Sequence, residues 1–135
     1  MTTGEADLME TSSLTLNALV IDDSRAIRRI LGSMLVDLGW RTHEAENGRH
    51  GLDVLAEAER IDVALVDWNM PEMNGLEFIK AVRADPRWGS LPILMVTSET
   101  EFQNMADAME AGANEYAMKP FDRDVIRDKL SILGF

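Results

Sequence analysis

Five short strand-like stretches alternate with five stretches whose apolar residues fall three and four apart, and this alternation constrains the fold more than any other feature of the chain. Parallel strands need a crossover between them, and helices that make the crossover cover both faces of the sheet. The strand-like runs are Leu16 to Ile21, Trp40 to Ala45, Val63 to Val66, Pro92 to Val96 and Glu115 to Met118. The first helical stripe is Ile27, Ile30, Leu31, Met34, Leu35 and Leu38, closed by Gly39. The second runs through Leu52 and Leu55, with Val54 and Ala58, after an Asn47-Gly48 turn. The third carries Leu76, Phe78, Ile79 and Val82 and stops at Asp85-Pro86. The fourth carries Phe102, Met105, Ala106 and Met109 and is closed by Gly112. The last, from about Asp122, carries Val125, Ile126, Leu130 and Leu133.

Strands buried on both faces read as continuous apolar runs, whereas edge strands are polar or short. The first, third and fourth runs are therefore expected in the centre, with the second and fifth at the edges. That ranking fits the order 2-1-3-4-5 of a doubly wound α/β sheet with five helices.

A chain of 135 residues with 46% hydrophobic content makes one domain with one core, preceded by a small, polar, acidic segment over residues 1–14 that reads as a flexible tail. With no cysteine there is no disulfide framework and no thiolate chemistry. No apolar run approaches the about 18–20 residues of a membrane span, and the N-terminus lacks the basic start of a signal peptide, so a cytoplasmic protein is expected. A net charge of −11 disfavours nucleic acid, whose binding needs basic surface, and favours cations and basic partner patches.

Four of the five runs end in a polar group: Asp22-Asp23, Asp67, Thr97 and Lys119. In an open parallel sheet the carboxyl ends of the central strands share one crevice, so these groups should meet. Taken singly, each has a plain structural alternative: a helix cap for Thr97, a salt bridge for Lys119. Together they define a chemistry. Three neighbouring carboxylates repel and cannot all remain ionised at neutral pH without a cation. An all-oxygen donor set with few protein ligands suits Mg²⁺. The cation and Lys119 would neutralise an incoming phosphoryl group, Thr97 would offer a hydroxyl donor, and Asp67 would be the nucleophile.

On the stretches Val20-Ile21-Asp22-Asp23, Asp67-Trp68-Asn69-Met70-Pro71, Met95-Val96-Thr97 and Tyr116-Ala117-Met118-Lys119-Pro120-Phe121, the sequence resembles a response-regulator receiver domain of the single-domain chemotaxis (CheY-like) type, from about residue 16 to the end. The resemblance implies a flavodoxin-like fold over residues 15–135, phosphorylation at Asp67 by a sensor histidine kinase, and Mg²⁺ held directly by Asp23, Asp67 and the Asn69 backbone carbonyl, with Asp22 acting mainly through a water. It further implies that Lys119 pairs with the phosphoryl group, that its peptide bond to Pro120 is cis, that Thr97 is the switch hydroxyl, and that Tyr116 follows it inward to reshape the face of the fourth helix, fifth strand and fifth helix. Asn69 and Glu99 occupy the positions that tune dephosphorylation in the family; a solvated loop pair is the plain alternative.

The expected function is that of a monomeric phosphorylation switch that binds a downstream protein, a flagellar motor switch or another effector; a phosphate sink or relay element with no effector is the alternative. The chain would catalyse only its own phosphorylation and dephosphorylation. A haloacid-dehalogenase-type phosphohydrolase needs a second acid where this chain has Asn69, and a cap domain for its substrate pocket. His43 and His50 read as surface residues, and Phe102 as core. Glu101 and Phe102 stand where motor-binding members tend to carry lysines, a reversal expected to affect partner choice and not the phosphorylation chemistry.

Overall fold

A computed structural model describes residues 15–135; the acidic N-terminal segment lies outside them. The strands are β1 (Asn17–Ile21), β2 (Arg41–Ala45), β3 (Val63–Val66), β4 (Ile93–Thr97) and β5 (Glu115–Met118). They alternate with α1 (Arg25–Asp37), α2 (Gly48–Glu57), α3 (Gly75–Ala84), α4 (Met105–Ala111) and α5 (Arg123–Ile132), and a 3₁₀ turn, Glu99–Asn104, precedes α4. All pairings are parallel, and the order is β2-β1-β3-β4-β5. This is the five-stranded doubly wound sheet expected from the alternation.

Side chains of alternate strand residues divide the core in two. Ala18, Val20, Val63, Leu65, Leu94 and Val96 face Leu31 and Leu35 of α1 and Ile126 and Leu130 of α5. Leu19, Ile21, Ala64, Val66, Ile93 and Met95 face Leu55 of α2, Phe78, Ile79 and Val82 of α3, and Met105 and Ala108 of α4. Four of the five helix starts are capped by a side chain, as orphan N–H groups require, and only α4, which continues from the 3₁₀ turn, has none. Ser24, Asn47, Asn74 and Asp122 accept from the backbone N–H three residues on. Gly39 ends the α1 segment at φ 93°, a left-handed conformation that glycine adopts without strain.

Some residues assigned to the packed stripes point elsewhere. Ile30 is 47% exposed, because Leu31 and Leu35 alone meet the sheet squarely while Ile27 and Met34 flank them. Phe102 is not core but exposed, since it belongs to the 3₁₀ turn, whose period of three takes it off the α4 stripe. On α4 itself Met105 and Ala108 are buried and Ala106 and Met109 exposed. His43 is half-buried on the edge strand, its Nε2 3.2 Å from Asn17 Oδ1, whereas His50 is exposed.

Candidate functional site

The carboxyl ends of β1, β3, β4 and β5 are brought level by ladder hydrogen bonds that run to the last residues. Asp67 N–H donates to the Ile21 carbonyl (2.9 Å), Asp22 N–H to Ala45 (3.1 Å) and Lys119 N–H to Thr97 (2.7 Å). Each strand therefore delivers its terminal side chain into one crevice. Asp22, Asp67 and Thr97 are buried, and Asp23 is exposed at the mouth. One carboxylate oxygen from each of Asp22, Asp23 and Asp67 lies within 4.8 Å of the others. Lys119 Nζ reaches between two of them, 3.4 Å from Asp22 Oδ2 and 3.5 Å from Asp67 Oδ1.

Two further contacts aim the acids. Asp67 Oδ1 accepts from Trp68 N–H (2.9 Å), and Asp22 Oδ1 accepts from Ser24 N–H (2.9 Å) at the start of α1. Close approach of α3 holds the end of β3 from behind: Gly75 N–H donates to the Trp68 carbonyl (2.8 Å), and a Cβ on Gly75 would lie 2.6 Å from the Asp67 carbonyl oxygen. Only glycine fits there.

Electrostatics follow from burying like charges together. Burial first, then Asp22 and Glu101, push the Asp67 carboxyl from 3.8 up to about 7, against the opposing pull of Lys119 and the Trp68 N–H. Asp22 is raised as well, chiefly by burial. Burial lowers the Lys119 ammonium, but Asp67 and Asp22 together outweigh it and the net displacement is upward. The pocket is thus short of positive charge, with one lysine facing three acids. Its donors are carboxylate oxygens, which are hard ligands matched to Mg²⁺ and not to soft or thiolate-seeking metals. The residues present fit such an ion.

The remaining sequence-selected residues are dispersed around this centre. Asn69 is exposed two residues past Asp67, and Glu99 opens the 3₁₀ turn two residues past Thr97. The Lys119-Pro120 peptide is cis. Tyr116 is half-buried on β5, its ring edge-to-face with Phe102 at 5.4 Å and 5.0 Å from Lys129 Nζ.

Sequence reasoning missed one participant. Glu101, read only as a charge reversal on the outer face, turns its side chain back: Oε2 accepts from the Thr97 hydroxyl (3.2 Å) and from Ser98 N–H (3.4 Å). It also adds to the negative potential at Asp67 and Lys119. Glu101 therefore faces the acidic crevice as well as the outer surface. A signal was available, because Ser98 to Glu101 spells the S-x-x-E pattern in which the glutamate folds back on the cap residue.

A doubly wound parallel sheet with an acidic cluster, a lysine and a buried threonine at its carboxyl edge defines a receiver domain. The family model for the response regulator receiver domain matches residues 18–131, and the chain belongs to that family. It is similar to a Chemotaxis protein CheY homolog of Campylobacter jejuni, 45% identical over 118 residues that cover 86% of this chain and 91% of that one. Similarity extends to Chemotaxis protein CheY1 of Helicobacter pylori, 42% identical over 85% of this chain and 94% of that one. Among solved structures, the chemotaxis response regulator CheY4 of Vibrio cholerae superposes with a TM-score of 0.81 at 35% identity, covering 88% of this chain and 98% of that one. The chain is a CheY-like response regulator domain, a signalling switch of two-component systems. Among the described residues no helix is long and apolar enough to cross a membrane.

Proposed function

We propose that Asp67 accepts a phosphoryl group from the phosphohistidine of a sensor histidine kinase, and that the phosphorylated domain binds a downstream protein. The observation that carries this reading is the cluster itself: three carboxylates within 4.8 Å and Lys119 within 3.5 Å of the strand-end Asp67. An Asp67 oxygen attacks phosphorus as the bond to the histidine nitrogen breaks, which yields an acyl phosphate and a neutral imidazole. Asp23, Asp67 and the Asn69 backbone carbonyl are the proposed direct ligands of Mg²⁺, with Asp22 acting through a water. Bound there, the cation supplies positive charge opposite the phosphoryl oxygens and favours the ionised form of Asp67.

Lys119 then pairs with a phosphoryl oxygen, and Thr97 donates its hydroxyl to another. Asn69 and Glu99, two residues past Asp67 and Thr97 in the chain, set the rate at which water removes the group. Tyr116 carries the change to the surface formed by α4, β5 and α5. Phe102 and Met109, exposed on that side, are the apolar side chains through which that face would meet a downstream protein. The relatives' names make a chemotaxis partner the first to try, a flagellar motor switch component among them.

The direct test incubates wild type and Asp67→Asn with a small-molecule phosphodonor and Mg²⁺ and reads intact mass. Wild type should gain one phosphoryl group and Asp67→Asn none. Full labelling of the variant would reject Asp67 as acceptor.

A further inference from the structure

The Thr97 hydroxyl is fully buried, and its proton already has an acceptor: Glu101 Oε2 at 3.2 Å. A hydroxyl carries one proton and donates one strong hydrogen bond at a time. The Ser98 carbonyl stands farther off at 3.4 Å, so the Glu101 carboxylate is the nearer of the hydroxyl's two acceptors and the charged one. Glu101 is half-buried, is tied by Ser98 N–H to the start of the 3₁₀ turn, and precedes Phe102, which packs edge-on against Tyr116. A single side chain thus touches the hydroxyl beneath the site and the segment that forms the outer face.

We propose that Glu101 is a latch on the switch: in the resting domain it holds the Thr97 hydroxyl, and Thr97 can donate to a phosphoryl group on Asp67 only after that bond is given up. The inference rests on the phospho-acceptor reading and adds the residue that sets how readily the domain activates. Glu101 is a positioning residue, acting through Thr97. The two acceptors compete for one proton, so each weakens the other's hold, and the resting and loaded arrangements become alternative states and not extremes of a continuum. Release also has an outward consequence. Freed from Thr97 and Ser98, the carboxylate is exposed beside Phe102, so the charge of the output face differs between the two states. A basic partner patch would then prefer the loaded form.

Two effects of removing Glu101 must be separated, namely loss of the hydrogen-bond acceptor and loss of a negative charge near an anion site. Glu101→Gln removes the charge and keeps an acceptor; Glu101→Ala removes both. The full chain is titrated with beryllofluoride in Mg²⁺ and bound fluoride is followed by fluorine NMR, with Asp67→Asn as the blank. Glu101→Ala should lower the half-saturating concentration about ten-fold, and Glu101→Gln by less. In a Thr97→Ala background, the Glu101→Ala gain should shrink to the size of the Glu101→Gln gain, since no hydroxyl remains to be released. An undiminished gain in that background, or no gain in the wild type, overturns the latch. Should wild type bind no more beryllofluoride than Asp67→Asn, the phospho-acceptor reading fails by itself. The latch is then decided in the unloaded protein, where Glu101→Ala must change the Thr97 side-chain couplings and methyl shift and Glu101→Gln must leave them near wild type. Unchanged Thr97 signals in Glu101→Ala overturn it.

Discussion

The segments that follow β3 and β4 leave neighbouring strands of one sheet, yet they are built to opposite standards. Past Asp67 the chain is pinned at each step. Trp68 N–H bonds the carboxylate, the Trp68 carbonyl bonds Gly75, Gly48 N–H bonds the Met73 carbonyl, and Asn74 and Glu77 cap α3 reciprocally. Past Thr97 the chain enters a 3₁₀ turn and a seven-residue helix, with Phe102 and Met109 in water and Glu101 as the chief tie to the site. A nucleophile has to be held in one geometry, whereas a reporting segment has to have two. On the proposed function, the chemistry falls to the β3 side and the movement to the β4 side.

The comparison is open to attack at three places, in descending order of expected effect. Asp67→Asn should stabilise the metal-free protein. A carboxyl raised from 3.8 to about 7 stays protonated longer in the folded than in the unfolded chain, so wild-type stability falls as pH rises across that window. The asparagine variant lacks that loss, and its advantage in chelator should grow from pH ~4, level off above about 7 at no more than ~4 kcal/mol, and shrink when Mg²⁺ is added. Urea denaturation at several pH values reads it, and a pH-independent difference would contradict the buried-charge account.

Gly75→Ala should cost about 2–3 kcal/mol, because its Cβ would meet the Asp67 carbonyl oxygen at 2.6 Å and the Trp68 Cα at 3.1 Å, both backbone atoms with little room to yield. Denaturation midpoints measure the loss, and phosphorylation should fall with it. A neutral substitution would mean that the β3 side is less rigid than described. Phe102→Ala, on the β4 side, should cost only ~0.5–1 kcal/mol, the worth of its edge-on contact with Tyr116, with phosphorylation preserved. A loss matching that of Gly75→Ala would erase the contrast between the two segments.

Much of this was legible in the sequence because the relevant information is local and periodic. Apolar runs set the strands and their rank from centre to edge, and the polar residues ending them brought Asp22, Asp23, Asp67, Thr97 and Lys119 to one edge of the sheet, since parallel strands point the same way. Spacing says which residues share a face. It does not say whether anything covers that face, and so the spacing puts Ile30, Ala106, Met109 and Val125 on stripes although the structure leaves them exposed.

Only the tertiary structure decided the direction of Glu101, the place of Phe102 in a turn of different period, and the balance of charge at Asp67. Each depends on atoms far apart in the chain. Glu101 turns inward because Thr97 and Ser98 offer it donors. Asp67 is held near neutrality because burial and Asp22, brought alongside by the β1–β3 pairing, act on it together. Identity and order of residues determined which groups this protein assembles; the packed sheet determined how strongly they act on one another, since desolvation and Coulomb interactions depend on distance and burial and not on position along the chain.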